Sequence, residues 1–86
     1  MIDFSKDDKY AIAEFVFSFQ TDVLITSDAT RLVDVLAKHE LITDKDNWHK
    51  RITAQDSNVC SELFDLCQAS IPNEQGKAIM DEYYKG

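Results

Sequence analysis

The chain has 86 residues, of which 44% are hydrophobic and 29% are charged. This composition is typical of a globular protein and too apolar for disorder, and the length suits one domain, residues 1–86, around one core. The formal net charge is −7, from 16 acidic and 9 basic residues. Because such a chain repels nucleic acid and anionic membranes, we expect neither as a partner, and instead expect a protein with a basic surface.

The N-terminal segment and the two cysteines indicate a location. Residues 1–8 carry three acids and no apolar core, unlike a secretory signal, and no uncharged apolar run approaches the roughly 18 residues of a membrane span. Cys60 and Cys67 would lie about 10.5 Å apart along one helix, beyond the roughly 7 Å that a disulfide allows. We therefore expect reduced thiols and a cytoplasmic protein.

Glycine and proline are absent from the first 71 residues, since the chain contains only Pro72, Gly76 and Gly86. Few tight hairpin turns are available to such a chain, which favours helices joined by short polar loops. No internal repeat or linker is visible. We therefore predict an all-α protein, a compact antiparallel bundle of about five short helices.

The first helix is predicted over residues 6–24. Ser5 is a suitable N-cap, and Asp7 and Asp8 suit the positive end of the helix dipole. Phenylalanines at positions 15, 17 and 19 alternate as in a strand, but the alternation fails upstream and no turn follows, which favours a helix. Two apolar stripes predict a helix at the centre of the bundle. They consist of Ile12, Phe15, Val16, Phe19 and Val23, and of Tyr10, Ala13, Phe17 and Leu24.

The second and third helices are predicted from their caps and apolar positions. Ser27 or Asp28 caps the second helix, residues 28–38. Thr43 opens the third helix, residues 44–54, with Asp46 as its capping-box partner. The apolar positions of the two helices are Ala29, Leu32, Val33 and Leu36 in the second, and Trp48 and Ile52 in the third.

The fourth and fifth helices occupy the rest of the chain. Asp56 or Ser57 is expected to cap the fourth helix, and Pro72 to end it and begin the fifth. Gly86 is a candidate C-terminal cap. The apolar positions are Cys60, Leu63, Phe64, Cys67 and Ile71 in the fourth helix, and Ile79, Met80 and Tyr83 in the fifth.

Four residues, His39, His49, Cys60 and Cys67, could in principle serve a metal site or a nucleophilic centre. No pair has the spacing of a zinc clamp, and no glycine-rich elbow marks a nucleophile. A small bundle also leaves little room for a substrate pocket. We therefore predict no cofactor, no metal and no catalysis. The alternative of a small enzyme or metal protein would depend on these four side chains.

Charge is unevenly distributed along the chain. Acids outnumber bases seven to three in residues 1–36 and six to two in residues 56–86, whereas residues 37–55 hold four bases and three acids. Most such charges simply solvate helix faces. Their summed field would nevertheless steer the protein onto a basic partner. The acidic face that we predict for this contact consists of Asp3, Asp7, Asp8, Glu62, Asp65, Asp81 and Glu82.

Two further features could mediate protein contacts. Tyr83 and Tyr84 point about 100° apart on a helix, so that one can be buried while Tyr84 serves as an exposed aromatic anchor. The third helix forms a basic patch in an otherwise acidic chain, which could bind the acidic face of another copy. This patch consists of Lys45, His49, Lys50 and Arg51.

Two stretches resemble caspase recruitment domains. Residues 32–43, LVDVLAKHELIT, are similar to the region from the second to the third helix of that family, and residues 63–67, LFDLC, to its fourth helix. The resemblance covers residues 27–68. It implies a helical bundle of the death fold that assembles through complementary acidic and basic faces.

Two hypotheses of function follow. In the first, the chain is a small acidic protein that binds without catalysis and masks a basic surface on a target, as an inhibitor, immunity protein or antitoxin of phage or bacterial defence does. In the alternative, it is a homotypic adaptor of the death-fold kind that self-associates through its acidic and basic faces.

Overall fold

The computed structural model describes residues 1–23 and 26–85. Within these residues the chain forms five helices and no strand, which confirms the predicted all-α bundle. Residues 15, 17 and 19 lie on a helix, so the strand alternative is wrong. The helices are α1 (Lys6–Gln20), α2 (Thr26–Lys38), α3 (Lys45–Thr53), α4 (Val59–Ser70) and α5 (Asn73–Lys85).

The core lies between α1 and α2, which share the centre of the bundle. α1 also packs against α4 and α5, and α2 also packs against α3 and α4. The predicted stripe of α2 is confirmed, because all four of its members are buried. The stripes of α1 are only partly correct, since Tyr10 and Val23 are exposed, and Leu24 lies outside the described residues. The largest fully buried side chains are Phe15, Leu32, Val33, Leu36 and Leu63.

The N-terminal caps follow the prediction at α1 only. Ser5 is the N-cap of α1, and its hydroxyl accepts a hydrogen bond from the Asp8 amide. α2 begins at Thr26, so the caps expected at residues 27 and 28 lie inside its first turn. At α3 the N-cap is Asp44 rather than Thr43, and its side chain makes no capping bond. α4 begins after Asn58, so neither residue 56 nor residue 57 is its N-cap.

Three helices are followed, two residues after their last residue, by a non-glycine residue in the left-handed conformation. Asp22, Glu40 and Gln55 have φ angles of 59°, 59° and 58°. After each of them, the next amide reaches back five residues, as in the Leu41 N to Leu36 O bond of 2.8 Å. This Schellman arrangement normally uses glycine. The motif at Asp22 ends α1 at Gln20, four residues earlier than predicted. The C-terminal cap expected at Gly86 lies outside the described residues.

Buried polar groups join distant parts of the chain. The Asp28 carboxylate is buried and accepts a hydrogen bond of 3.0 Å from the Ser18 hydroxyl, which links α2 to α1. The Gln75 side chain bonds both backbone groups of Ile2, which fastens the N-terminal segment to α5. Among the described residues, no helix is both long and apolar enough to cross a membrane.

Candidate protein-binding surface

Asp8 is buried and therefore does not belong to the exposed acidic face predicted for it. Its carboxylate receives hydrogen bonds of 3.1 Å from the Ser5 amide and the Lys38 ammonium, and lies 2.8 Å from His39 Nε2. The His39 ring in turn meets Phe4 edge-on. The first turn of α1 is thus held against the end of α2. Asp8 and His39 both serve the fold here.

The ionised form of Asp8 is strongly stabilised by these partners. Burial alone would raise the pKa of this carboxyl group, because it penalises the charged form. The hydrogen bonds from His39, Ser5 and Lys38 outweigh that penalty and hold the pKa well below its usual range. Asp8 is consequently a buried anion at neutral pH.

The basic patch of α3 is largely neutralised within the molecule. Arg51 Nε donates a hydrogen bond of 2.8 Å to Asp56, and its two terminal nitrogens bind Glu62. Both hydrogen-bonded acids raise the pKa of Arg51, and the bond to Glu62 has the larger effect. The guanidinium also lies 5.1 Å from the centre of the Trp48 ring. Arg51 and Glu62, predicted on opposite contact surfaces, therefore bind each other.

Two more members of the basic patch face an acid on α2. Lys45 Nζ lies 3.7 Å and His49 Nε2 lies 3.0 Å from the Asp34 carboxylate. His49 Nε2 is buried and forms no hydrogen bond, so its contact with that oxygen lacks hydrogen-bond geometry. Within residues 1–23 and 26–85, Lys50 is the remaining predicted member, exposed and without an ion pair.

A groove runs along the surface where α5 crosses α1. It is open to solvent, has a volume of about 980 Å³, and we call it the α1–α5 groove. Two members of the predicted acidic face, Asp7 and Glu82, line it together with Tyr84, the predicted aromatic anchor. The structure thus brings together three predicted residues from opposite ends of the chain. The other lining residues are Lys6, Lys9, Tyr10, Ala13, Ile79 and Tyr83.

Four aromatic rings form a cluster, which we call the tyrosine cluster, and its three tyrosines line this groove. Tyr83 lies at its centre, with ring centroids 5.9 Å from Tyr10, 5.9 Å from Phe17 and 5.7 Å from Tyr84. The interplanar angles lie between 54° and 66°, so the rings tilt against each other rather than stack. The outer two tyrosines remain exposed, by 52% at Tyr10 and 62% at Tyr84.

Charged side chains of both signs lie around the tyrosine cluster. Glu14, one turn along α1, lies beside the Tyr10 hydroxyl and raises its pKa. Burial, followed by the charge of Glu14, also raises the pKa of Tyr83. None of the four charged side chains that line the groove forms an ion pair with another residue in the described part of the chain. Their charges therefore remain available to a partner.

The rest of the predicted acidic face is dispersed. Asp3 and Asp81 are exposed but do not line the groove. Glu62 and Asp65 lie on α4, and Glu62 is bound by Arg51. The acids predicted as one face therefore occupy at least two separate surfaces, and in the part of the chain that the structure describes the α1–α5 groove is the one that combines these acids with the exposed rings of Tyr10 and Tyr84.

The thiols of both cysteines have a raised pKa. Burial raises the pKa of the Cys67 thiol to about 11 and that of Cys60 to a smaller extent, so both are protonated at neutral pH. Both are free thiols. In residues 1–23 and 26–85, no three side chains of His, Cys, Asp or Glu converge in a way that could hold a metal ion.

Comparison of this chain with protein-family models, curated proteins and solved structures found no match. The resemblance to caspase recruitment domains stays a prediction. Three residues of the surface, Tyr10, Glu14 and Phe17, were not predicted as site residues. Their spacing of four and then three residues places them on one helix face, which is the signal that could have identified them.

Proposed function

We propose that this protein acts by binding another protein, without catalysis, and that the α1–α5 groove is its contact surface. The observation that carries the proposal is the exposure of Tyr10 and Tyr84 beside Asp7 and Glu82. Tyrosines supply large contact area at low entropic cost and are enriched among the residues that dominate binding energy. The function that fits is an inhibitor, immunity protein or antitoxin that masks part of its target.

The charge of the molecule favours a basic target. At a net charge of −7 the summed field attracts cationic surfaces over roughly a Debye length, about 8 Å at physiological ionic strength. This attraction accelerates encounter, whereas the tyrosine cluster would supply most of the affinity. Salt should therefore slow association more than it speeds dissociation.

The homotypic alternative has less support. It needs the basic patch of α3 to face acids of a second copy, but Lys45, His49 and Arg51 already face acids of their own chain. Lys50 alone stays free for that role within the described residues. Light scattering after size-exclusion chromatography tests it: we expect a monomer of 9.9 kDa at low and high salt. Salt-sensitive growth that Lys50→Glu abolishes would support the adaptor instead.

Site-specific photo-crosslinking tests the proposed surface. A benzophenone-bearing phenylalanine replaces Tyr84 in one variant and Asp65 in a matched control, since both positions are exposed but lie on different surfaces. In lysate of the producing cells, we expect position 84 to give a covalent adduct with one protein and position 65 to give none. Adduct formation from position 65 alone would place the contact on α4 and contradict the proposal.

A further inference from the structure

We propose that the tyrosine cluster receives an arginine side chain of the partner, with the carboxylates of Asp7 and Glu82 as acceptors for its guanidinium. This inference depends on the proposed function, because it names the chemistry that the same groove recognises. It narrows the partner from any basic surface to one that projects an arginine.

The outer rings of the cluster offer faces on which a planar cation can stack. Tyr84 and Tyr10 are tilted against Tyr83 by 66° and 57° rather than stacked on it, and Tyr84 also meets Phe17 at 62°. Their exposed fractions agree with this geometry. A guanidinium stacks on such a face through its own delocalised plane, whereas an ammonium is compact and more strongly hydrated.

The chain itself contains the arrangement that we infer for the groove. Arg51 lies over the Trp48 ring and is bound at the same time by two carboxylates, those of Asp56 and Glu62. The α1–α5 groove combines the same elements, aromatic faces and two carboxylates. Neither of the two arginines of the chain, at positions 31 and 51, lines the groove, whose own cations are Lys6 and Lys9.

Two lysines restrict the partner further. Lys6 and Lys9 line the α1 side of the groove, so a uniformly basic segment would meet like charge there. A single arginine flanked by neutral or acidic residues avoids that repulsion. The groove should therefore select one arginine rather than a polybasic tract.

The test is an NMR titration of the isotope-labelled protein with the peptide acetyl-Gly-Gly-Arg-Gly-Gly-amide. We expect saturable shifts of backbone amides in residues 6–17 and 79–85, with a dissociation constant on the order of millimolar for so small a ligand. The peptide with lysine in place of arginine should bind at least about fivefold more weakly. The citrulline peptide, which keeps the shape and lacks the charge, should cause no saturable shift.

Two variants test separately whether the aromatic ring and the carboxylate contribute to binding of the arginine peptide. Tyr84→Leu removes a stacking face and Glu82→Gln removes a charge, and each should weaken arginine-peptide binding at least about fivefold. Asp65→Asn, which changes an acid on α4, should leave it within about twofold. Circular dichroism confirms that each variant is folded, as expected for changes at exposed positions.

Three outcomes would overturn the inference. If the arginine and lysine peptides bind equally, or if Asp65→Asn and Glu82→Gln have equal effects, the net charge alone attracts the peptide and the inference is wrong. Groove resonances that shift with protein concentration alone would assign the groove to a second copy. If crosslinking at position 84 captures a partner while the arginine peptide fails to bind, only the arginine is wrong and the surface stands.

Discussion

His39 Nε2 lies 2.8 Å from Asp8 Oδ2, and this contact joins the end of α2 to the first turn of α1. The two residues are 31 positions apart in the chain. Lys38 and Ser5 complete the set of donors around the same carboxylate. The relationship explains why an acid in the first helical turn is buried, and it makes Asp8 the most informative charge to change.

Removal of the Asp8 charge should destabilise the fold. Asp8→Asn keeps the shape of the side chain but leaves its donors facing a neutral amide, and we expect a loss of about 2 kcal/mol in the free energy of unfolding at pH 7. Asp7→Asn is the matched control, because it removes a neighbouring exposed acid from the same turn, and it should cost less than about 1 kcal/mol. Urea denaturation measures both, and equal losses would show that the burial of Asp8 has no special effect.

The same substitution should flatten the acid limb of the stability profile. The pKa of Asp8 is lower in the folded state than in the unfolded chain, so the unfolded state binds the proton first as pH falls. Its stabilising contribution is therefore complete above about pH 4 to 5 and is lost progressively below that value. Between pH 6 and pH 3 the native chain should lose more stability than Asp8→Asn; parallel curves would contradict the ionic role of Asp8.

Glycine at a left-handed helix end should stabilise the protein. Glu40 has a φ of 59°, a conformation in which its Cβ is strained, while its neighbour Leu41 closes the Schellman motif. Glu40→Gly removes that strain and should raise the free energy of unfolding by about 0.5–1 kcal/mol after the entropic cost of glycine. Glu40→Ala removes the charge but keeps Cβ, so it should change stability little. A gain of equal size in both variants would assign the effect to charge.

The opposite substitution should be favourable inside α5. Gly76 lies within the helix with no positive φ, and a Cβ there would meet only Ile71 Cγ2, at an ordinary 4.0 Å. Gly76→Ala should therefore stabilise the protein by about 0.5–1 kcal/mol, which corresponds to a rise in Tm of roughly 3–6 °C for a domain of this size. Calorimetry measures the shift, and a fall in Tm would mean that α5 needs close backbone approach at this point.

The two thiols should react at different rates. Cys67 is 4% exposed with a pKa raised to about 11, whereas Cys60 is half-buried and less perturbed. Because the thiolate is the nucleophile, iodoacetamide at pH 8 should modify Cys60 first and Cys67 only after unfolding. Mass spectrometry of timed digests gives both rates. Equal rates in the folded protein would contradict the burial of Cys67.

The sequence predicted those parts of the fold that depend on local periodicity. The stripe of α2 is buried as expected because its apolar positions repeat with the helical period and two other helices cover them. The same reasoning failed at Tyr10, which is exposed, since periodicity does not show how much of a helix face the neighbouring helices cover. It also failed at the end of α1, because Asp22, a left-handed residue other than glycine, leaves no mark in the sequence.

The candidate site was predictable only in its separate members. Asp7, Glu82 and Tyr84 were identified from charge and exposure, but their common groove depends on how α5 crosses α1. Asp8 and Glu62 were assigned to one acidic face because the sequence does not show their ion-pair partners. These partners, His39 and Arg51, lie outside the helices of the two acids. Long-range pairing of charges is thus what the sequence did not reveal.

Once crosslinking has identified the partner, isothermal calorimetry with Tyr84→Ala measures most directly whether the α1–α5 groove is the contact surface. We expect Tyr84→Ala to weaken binding by at least about tenfold, since an anchor residue contributes about 1.4 kcal/mol or more, while Asp65→Asn leaves affinity within about twofold. An unchanged dissociation constant for the folded Tyr84→Ala variant would contradict the assignment of the groove as the binding surface.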